Sequence, residues 1–320
     1  MIRLEMFGRL GNQMFRYAAA RSLQLKVHQP IEVSFHFVKM LVDPSKAKSY
    51  DLGWEDTLRF FQVVPMFKFD GNRRLFLESK NVKQKIVGIL FYAFRKLIVR
   101  KFNLSLQQKF KWESKWNKLL DSSGLWCCES HYKYKYLNLQ DFYLDGMFED
   151  SSIFNNIRDV LIKEFTPINP PLEKNYKLYN LLESTQSVCV SIRTFQEIAN
   201  NKNQASLYHT YDKSYYIKAM NYMVSKLGNP LFLICSDDIE WVKQNINMSG
   251  FNVIYETGND PIWEKVRIMY SCKHFIISNS TFSWWTMYLS RNKNKVVVAP
   301  KRWFNDKYQG HLIEDWMIKI

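Results

Sequence analysis

Between residues 187 and 299 the chain alternates short β-branched apolar runs with helical patterns, and that rhythm leaves few folds open. Residues 188–192, 231–235, Asn252–Tyr255, 274–278 and 295–299 read as strands. Between them lie helical segments. Lys213–Leu227 carries Tyr216, Ala219, Met220, Met223 and Leu227 at helical spacing and stops at Gly228, a usual C-terminal cap. Residues 239–246, 262–272 and Thr281–Leu289 supply the other helices. Strands that are apolar on both faces and joined through helices imply a parallel sheet covered on both sides, a doubly wound α/β domain.

Such a sheet binds ligands outside the carboxyl ends of its strands, so functional polar residues are expected just after each apolar run. Arg193 follows the first strand, Ser236, Asp237 and Asp238 the second, Glu256 the third, and Asn279, Ser280 and Thr281 the fourth. The last group sits in the stretch ISNSTFSWW (277–285), which passes from a strand through small hydrogen-bonding residues into a helix. Backbone N–H groups around Asn279, Ser280, Thr281, Phe282 and Ser283, with the positive end of a helix dipole, suit an anion such as phosphate. Trp284 and Trp285 would then pack the helix onto the sheet. A plain Ser/Thr N-cap is the commoner meaning of one such stretch. Arg193 on a neighbouring strand end favours phosphate, because a guanidinium grips a diphosphate bidentately.

The first half opens with a similar unit: a strand at 2–6, a glycine-bearing turn at 8–13 and a helix at 14–25. The turn lacks the third glycine of a dinucleotide loop and carries Arg9 and Asn12 instead. Asn12 and Gln13 there suggest hydrogen bonds to a polar ligand or across an interdomain cleft, or a helix cap by Asn12. Three prolines within 166–171 forbid a continuing helix and mark a linker, dividing the chain into domains 1–170 and 171–320.

At 320 residues, with 47% hydrophobic and 23% charged residues, the chain has the composition of a soluble globular protein of about two domains. Cys127, Cys128, Cys189, Cys235 and Cys272 show no metal-ligand spacing, and the last three read as buried thiols in a reducing compartment. The N-terminus lacks the apolar run of an export signal. The longest apolar run, residues 86–94, is nine residues long, well short of the roughly 20 that cross a bilayer as a helix. Net charge is +15, and residues 80–111 hold nine Lys or Arg and no acid, interleaved with Ile86, Leu90, Phe91, Phe94, Leu97, Ile98 and Phe102. A basic amphipathic helix of that kind fits an anionic membrane surface, nucleic acid phosphates, or simply a solvated face. No RNA- or DNA-binding motif accompanies it. Trp54, Trp112, Trp116, Trp126, Tyr132, Tyr134 and Tyr136 suit either sugar stacking or a core.

GRLGNQMFRYAAARSL (8–23), GMFEDSSIF (146–154), VSIR (190–193), FLICSDDIEWVKQNI (232–246), SNSTFSWW (278–285) and VVVAPKRWF (297–304) resemble the successive blocks of the α-1,2-fucosyltransferases of glycosyltransferase family 11. The resemblance spans nearly the whole chain. It implies a GT-B-like fold, two Rossmann-like domains with parallel sheets facing a cleft. GDP-fucose would be held mainly by the C-terminal domain, and a galactose-terminated acceptor glycan would lie against the N-terminal one. It implies inverting transfer to the galactose 2-hydroxyl, with no cofactor and no required metal. Asp237 and Asp238 would then receive guanine N–H groups rather than a metal. Arg193 and the N–H groups of 279–283 would stabilise the departing GDP, while Arg9, Gly11, Asn12 and Gln13 would hold donor and acceptor in line. Where the family pattern runs His-x-Arg-Arg-x-Asp, this chain has Ser191 to Glu197, keeping only the first arginine as Arg193. Glu197 is the candidate to take the acid's catalytic role. The broken pattern leaves open a relative using another GDP-sugar, and the charge leaves open a nucleic-acid-binding protein, although no nucleic acid is the expected partner. With a fucosyltransferase in view, the absence of an N-terminal anchor argues for a bacterial, cytoplasmic enzyme, and the basic segment for peripheral association with an anionic membrane face.

Overall fold

The computed structural model describes residues 1–41, 55–102, 104–127, 136–194 and 206–320. They form two compact units, one of residues 1–59, 63–164 and 306–311, the other of residues 60–62, 165–305 and 312–320. The fold is α/β, and every strand pairing among the described residues is parallel.

In the first unit the elements run β1 (Ile2–Glu5), α1 (Leu10–Val27), β2 (Ile31–Ser34), α2 (His36–Leu41), β3 (Phe67–Phe69), α3 (Val82–Phe102), α4 (Leu106–Ser114), α5 (Asn117–Asp121), β4 (Leu125–Trp126), β5 (Phe142–Leu144) and α6 (Arg158–Glu164). The sheet order is β3-β2-β1-β5-β4. The central strand β1 pairs with β2 on one side and β5 on the other, Leu4 lying opposite both Val33 and Leu144. Ile2, Leu4, Phe142 and Leu144 are fully buried together with Met14, Phe15, Ala18 and Ala19 of α1. The helix begins at Leu10 rather than at residue 14. Gly8 (φ 78°) turns the chain through the left-handed region, and Gly11 sits inside the first helical turn instead of making the turn. A Cβ at Gly8 would lie 2.8 Å from the side chain of Asn12.

In the second unit follow α7 (Tyr176–Ser184), β6 (Ser187–Ile192), α8 (Lys213–Leu227), β7 (Leu231–Ser236), α9 (Ile239–Asn245), β8 (Asn252–Tyr255), α10 (Ile262–Tyr270), β9 (His274–Ile276), α11 (Thr281–Leu289), β10 (Val297–Ala299) and β11 (Ile318–Lys319). The sheet order β11-β10-β9-β6-β7-β8, counted from β6, is the 3-2-1-4-5-6 arrangement of dinucleotide-binding sheets. Its core joins Val188, Val190 and Ile192 of β6 to Tyr216, Ala219, Met220 and Met223 of α8 and to Phe232 and Ile234 of β7. Each large apolar side chain so buried contributes about 1.5–3 kcal/mol. Helix α8 starts where Asp212 accepts the Ser214 N–H and ends where the Gly228 N–H returns to the Val224 carbonyl at φ 81°. Strands β9 and β10 are shorter than the apolar runs that encode them, and α10 stops at Tyr270 because Ser271 and Cys272 turn back onto the carbonyls of Arg267, Ile268 and Met269. Cys127, Cys189, Cys235 and Cys272 are buried thiols. Cys128 lies outside the described residues.

The Gly8 turn yields a stability prediction. Gly8→Ala must hold a Cβ in the left-handed region and against Asn12, which costs about 1–3 kcal/mol, and a drop in thermal midpoint checks it.

Candidate functional site

In the second unit the chain order reverses between β6 and β9, the place where such sheets bind ligands. Val190 lies opposite Ile276. Arg193 and Asn279 each follow three residues later, so both emerge from the carboxyl ends of adjacent strands. Arg193 is half-buried, and its N–H donates to the Tyr216 hydroxyl at 3.3 Å. The Tyr215 hydroxyl donates to the Ile277 carbonyl at 2.7 Å, so two neighbouring tyrosines of α8 hold the ends of both strands. Tyr215 and Tyr216 carry no signal in the sequence beyond their place on an amphipathic helix.

The turn into α11 is built from buried polar groups. Ser278 and Asn279 follow β9, and Ser283 lies in the first turn of the helix; all three are at most 1% exposed. The Asn279 Nδ2 donates to the carbonyls of His209 (2.7 Å) and Trp303 (3.0 Å). That fixes the amide and leaves its oxygen turned elsewhere. The Asn279 Oδ1 and the hydroxyls of Ser278 and Ser283 are buried with no hydrogen-bond partner. An unpaired buried polar group costs about 1–3 kcal/mol, so three within six residues mark a surface shaped for a polar partner. Ser280, Thr281 and Phe282 are half-buried at the helix N-terminus, whose first N–H groups point out of the helix. Trp284 and Trp285 are buried beneath; the Trp284 indole donates to the Leu312 carbonyl at 3.0 Å and stacks on Tyr288 at 4.8 Å.

The two aspartates after β7 have local work. The exposed Asp237 accepts the Thr194 N–H at 2.9 Å, tying the segment after β6 to the one after β7. Asp238 is the N-cap of α9 and accepts the Trp241 N–H at 2.9 Å. In both, Oδ1 is used, which leaves Oδ2 for a ligand. Glu256 is buried and pairs with Lys265 at 3.0 Å, a tie between the end of β8 and α10. Glu197 lies outside the described residues, as do Trp54, Tyr132 and Tyr134.

At the carboxyl end of β1 in the first unit, Arg9 is exposed, while Gly11 and Asn12 occupy the first turn of α1. Arg9, not Asn12, stands at the N-cap position, and Asn12 occupies the third position of the helix. Gln13 is spent inside the fold. It is fully buried, donating to the carbonyls of Gly8 (3.0 Å) and Glu55 (2.7 Å) and accepting from the N–H (3.2 Å) and hydroxyl (2.8 Å) of Thr57. Its amide is spent on holding the chain around the Gly8 turn.

Sequence reasoning missed a buried charged network beneath that turn. Asp145, just after β5, receives Arg16 at 3.1 Å, Arg74 at 2.6 Å and the Tyr92 hydroxyl at 2.7 Å. Burial opposes its ionisation, but the Arg16 and Arg74 guanidiniums outweigh that and hold its carboxyl well below the usual range. Glu5, on β1, accepts the Leu75 N–H at 2.6 Å and the Tyr143 hydroxyl at 3.3 Å, while its Oε2 is buried without a partner. Burial, and then the charge of Asp145, push Glu5 up to about 7. The available signal was a pair of charges, Arg3 and Glu5, inside an otherwise apolar central strand.

These sites sit in a two-unit α/β protein whose second unit carries a sheet of doubly wound order. The glycosyl transferase family 11 model matches residues 67–318, and the chain belongs to that family. It is therefore a glycosyltransferase. It is 27% identical over 321 residues to the O-antigen biosynthesis glycosyltransferase WbnK of Escherichia coli, covering 98% of each chain. It is 30% identical over 165 residues to an alpha-1,2-colitosyltransferase of Escherichia coli, covering 50% of this chain and 55% of that one. It is 32% identical over 82 residues to the galactoside 2-alpha-L-fucosyltransferase SEC1 of Bos taurus, covering 25% of this chain and 22% of that one.

Two measurements follow from this geometry. Ser283→Ala removes a buried, unpaired hydroxyl, so the protein should keep or raise its thermal midpoint, read by differential scanning calorimetry. Glu5 binds its proton more tightly folded than unfolded. Its contribution to stability is present below its ordinary range near 4.5 and is lost as pH rises through about 7. Glu5→Gln should flatten the fall in thermal midpoint across that window and melt higher than the parent above it.

Proposed function

We propose that the protein is an inverting α-1,2-fucosyltransferase. It moves L-fucose from GDP-β-L-fucose to the 2-hydroxyl of a terminal galactose, in a cell-surface glycan or its lipid-linked precursor, on the cytoplasmic side of the membrane and without a required metal. What supports this reading is the placement of Arg193 just past β6 and of the unpaired polar groups of Ser278, Asn279 and Ser283 after the adjacent strand β9, where the second sheet reverses its order.

As the galactose hydroxyl oxygen bonds to the fucose anomeric carbon, the bond to the β-phosphate oxygen breaks and GDP leaves with its electron pair. Negative charge grows on the diphosphate, and the Arg193 guanidinium, the serine hydroxyls and the N–H groups at the start of α11 meet it more strongly in the transition state than before. The Oδ2 atoms of Asp237 and Asp238 receive the guanine N–H groups. The acceptor proton passes to a carboxylate, for which Glu197 is the candidate.

The alpha-1,2-colitosyltransferase relative supports a second reading, with GDP-colitose as donor. Colitose is fucose without its 3-hydroxyl, and a site built to hydrogen-bond that hydroxyl rejects the analogue strongly.

Transfer from each donor to β-galactosides, with linkage analysis, tests the reading. An α-1,2 product from GDP-fucose, unaffected by EDTA, is expected. Product only from GDP-colitose selects the second reading. Arg193→Ala should lower kcat/KM about a hundredfold or more, and an unaffected variant would remove the core of the site.

A further inference from the structure

Helix α3 has two apolar faces, and the first unit uses only one of them. On the inner face Val87 and Phe91 are buried against Leu75, Phe76 and Tyr143. Gln84 there donates to the carbonyls of Ser123, Gly124 and Asp141, each at 3.1 Å. Arg95 pairs with the buried Glu113 of α4 at 2.9 Å. Gly88 lets the helix close on Phe76, whose ring lies 2.7 Å from where a Cβ would stand. These contacts fix the rotation of the helix about its axis.

The opposite face is therefore held outward, and it is not polar. Val82, Ile86, Ile89, Ala93 and Leu97 recur every three or four residues, one row along the helix about 22 Å long, with Leu90 and Phe94 beside it. All seven are exposed, Ile86 and Ile89 at 53% and Leu97 at 63%. Lys85 and Lys96 border the row on one side and Lys83 on the other, and α3 contains no acid. No helix among the described residues is long and apolar enough to cross a membrane.

We propose that the outer face of α3 lies in the interfacial region of an anionic lipid bilayer, the aliphatic row entering the acyl boundary and the bordering lysines meeting lipid phosphates. A second copy of this chain would set one all-positive rim against another across a two-fold axis, which disfavours self-association. A nucleic acid backbone would meet the lysines but leave the row of Ile, Leu and Val in water. The inference stands on α3 alone and is independent of which sugar the enzyme moves.

Sedimentation with phosphatidylglycerol–phosphatidylcholine vesicles, against phosphatidylcholine alone, tests it on the full chain. Wild type should pellet with the anionic vesicles and be released by salt. Ile86→Ser/Ile89→Ser/Leu97→Ser should lower partitioning about tenfold or more, and Lys85→Glu/Lys96→Glu about tenfold. Both variants change solvent-facing side chains, so their circular dichroism melts should match wild type; a low-melting variant is replaced by Ile86→Thr alone, with a proportionate loss expected. No pelleting by wild type overturns the proposal, as does a triple variant that melts normally and pellets undiminished. A dimer in analytical ultracentrifugation that the triple variant dissolves, without vesicle binding, would assign the face to a second copy. Salt-sensitive retention on duplex RNA or DNA, again without vesicle binding, would assign it to nucleic acid.

Discussion

A parallel sheet clothed by helices must bury both faces, which leaves polar chemistry a narrow place to appear. Backbone hydrogen bonding and apolar packing occupy the strands along their length, so side chains that meet a ligand are pushed to the carboxyl ends. In the second unit Arg193, Asp237, Glu256 and Asn279 all stand there, one after each of the successive strands β6 to β9. Their division of labour follows from what each neighbour already satisfies. Glu256 is neutralised by Lys265, while Asp237 and Asp238 spend one oxygen apiece on the backbone. Asn279 is anchored by its amide nitrogen with its oxygen unspent.

The first unit departs from this economy by placing charge inside the sheet itself. Glu5 and Asp145 follow one another across β1 and β5, and two carboxylates so close do not both ionise readily. The guanidiniums of Arg16 and Arg74 resolve the conflict in favour of Asp145, and Glu5 takes the raised proton affinity. Arg74 is in turn held over the rings of Tyr92 at 4.0 Å and Phe37 at 4.6 Å. Arg16 of α1 belongs to this network and also donates to the Glu5 carbonyl, so electrostatic balance in the core helps to hold the helix whose first turn carries Gly11 and Asn12.

Much of the second unit was legible in the sequence because each strand is a short β-branched run and each helix has its own stop. Lys213–Leu227 ends on a glycine, and Thr281–Leu289 begins after small polar residues. The first unit was harder to read. GRLGNQ resembles a turn because it holds two glycines, yet only Gly8 needs the left-handed conformation, and the helix swallows Gly11. Gln13 resembles a ligand-binding residue by composition, and only its four hydrogen bonds reveal a tether. The charged network was invisible for a different reason: its members, from Glu5 to Asp145, come from β1, α1, the segment before α3, α3 and the end of β5, and only tertiary packing brings them together. The orphaned hydroxyls of Ser278 and Ser283 likewise become unusual only once their burial is known.

Those orphaned groups have a bearing on how long the protein survives. A folded chain that carries three unsatisfied buried polar atoms is less stable than its packing alone would make it. A ligand that pairs them repays that deficit only while it is bound, so the melting point climbs with ligand concentration. Inside a cell, where proteases sample the opened state, turnover of the chain then slows as the ligand becomes plentiful. Ser278, Asn279 and Ser283 would thereby couple the abundance of the enzyme to the supply of any ligand that pairs them, with no regulatory domain required.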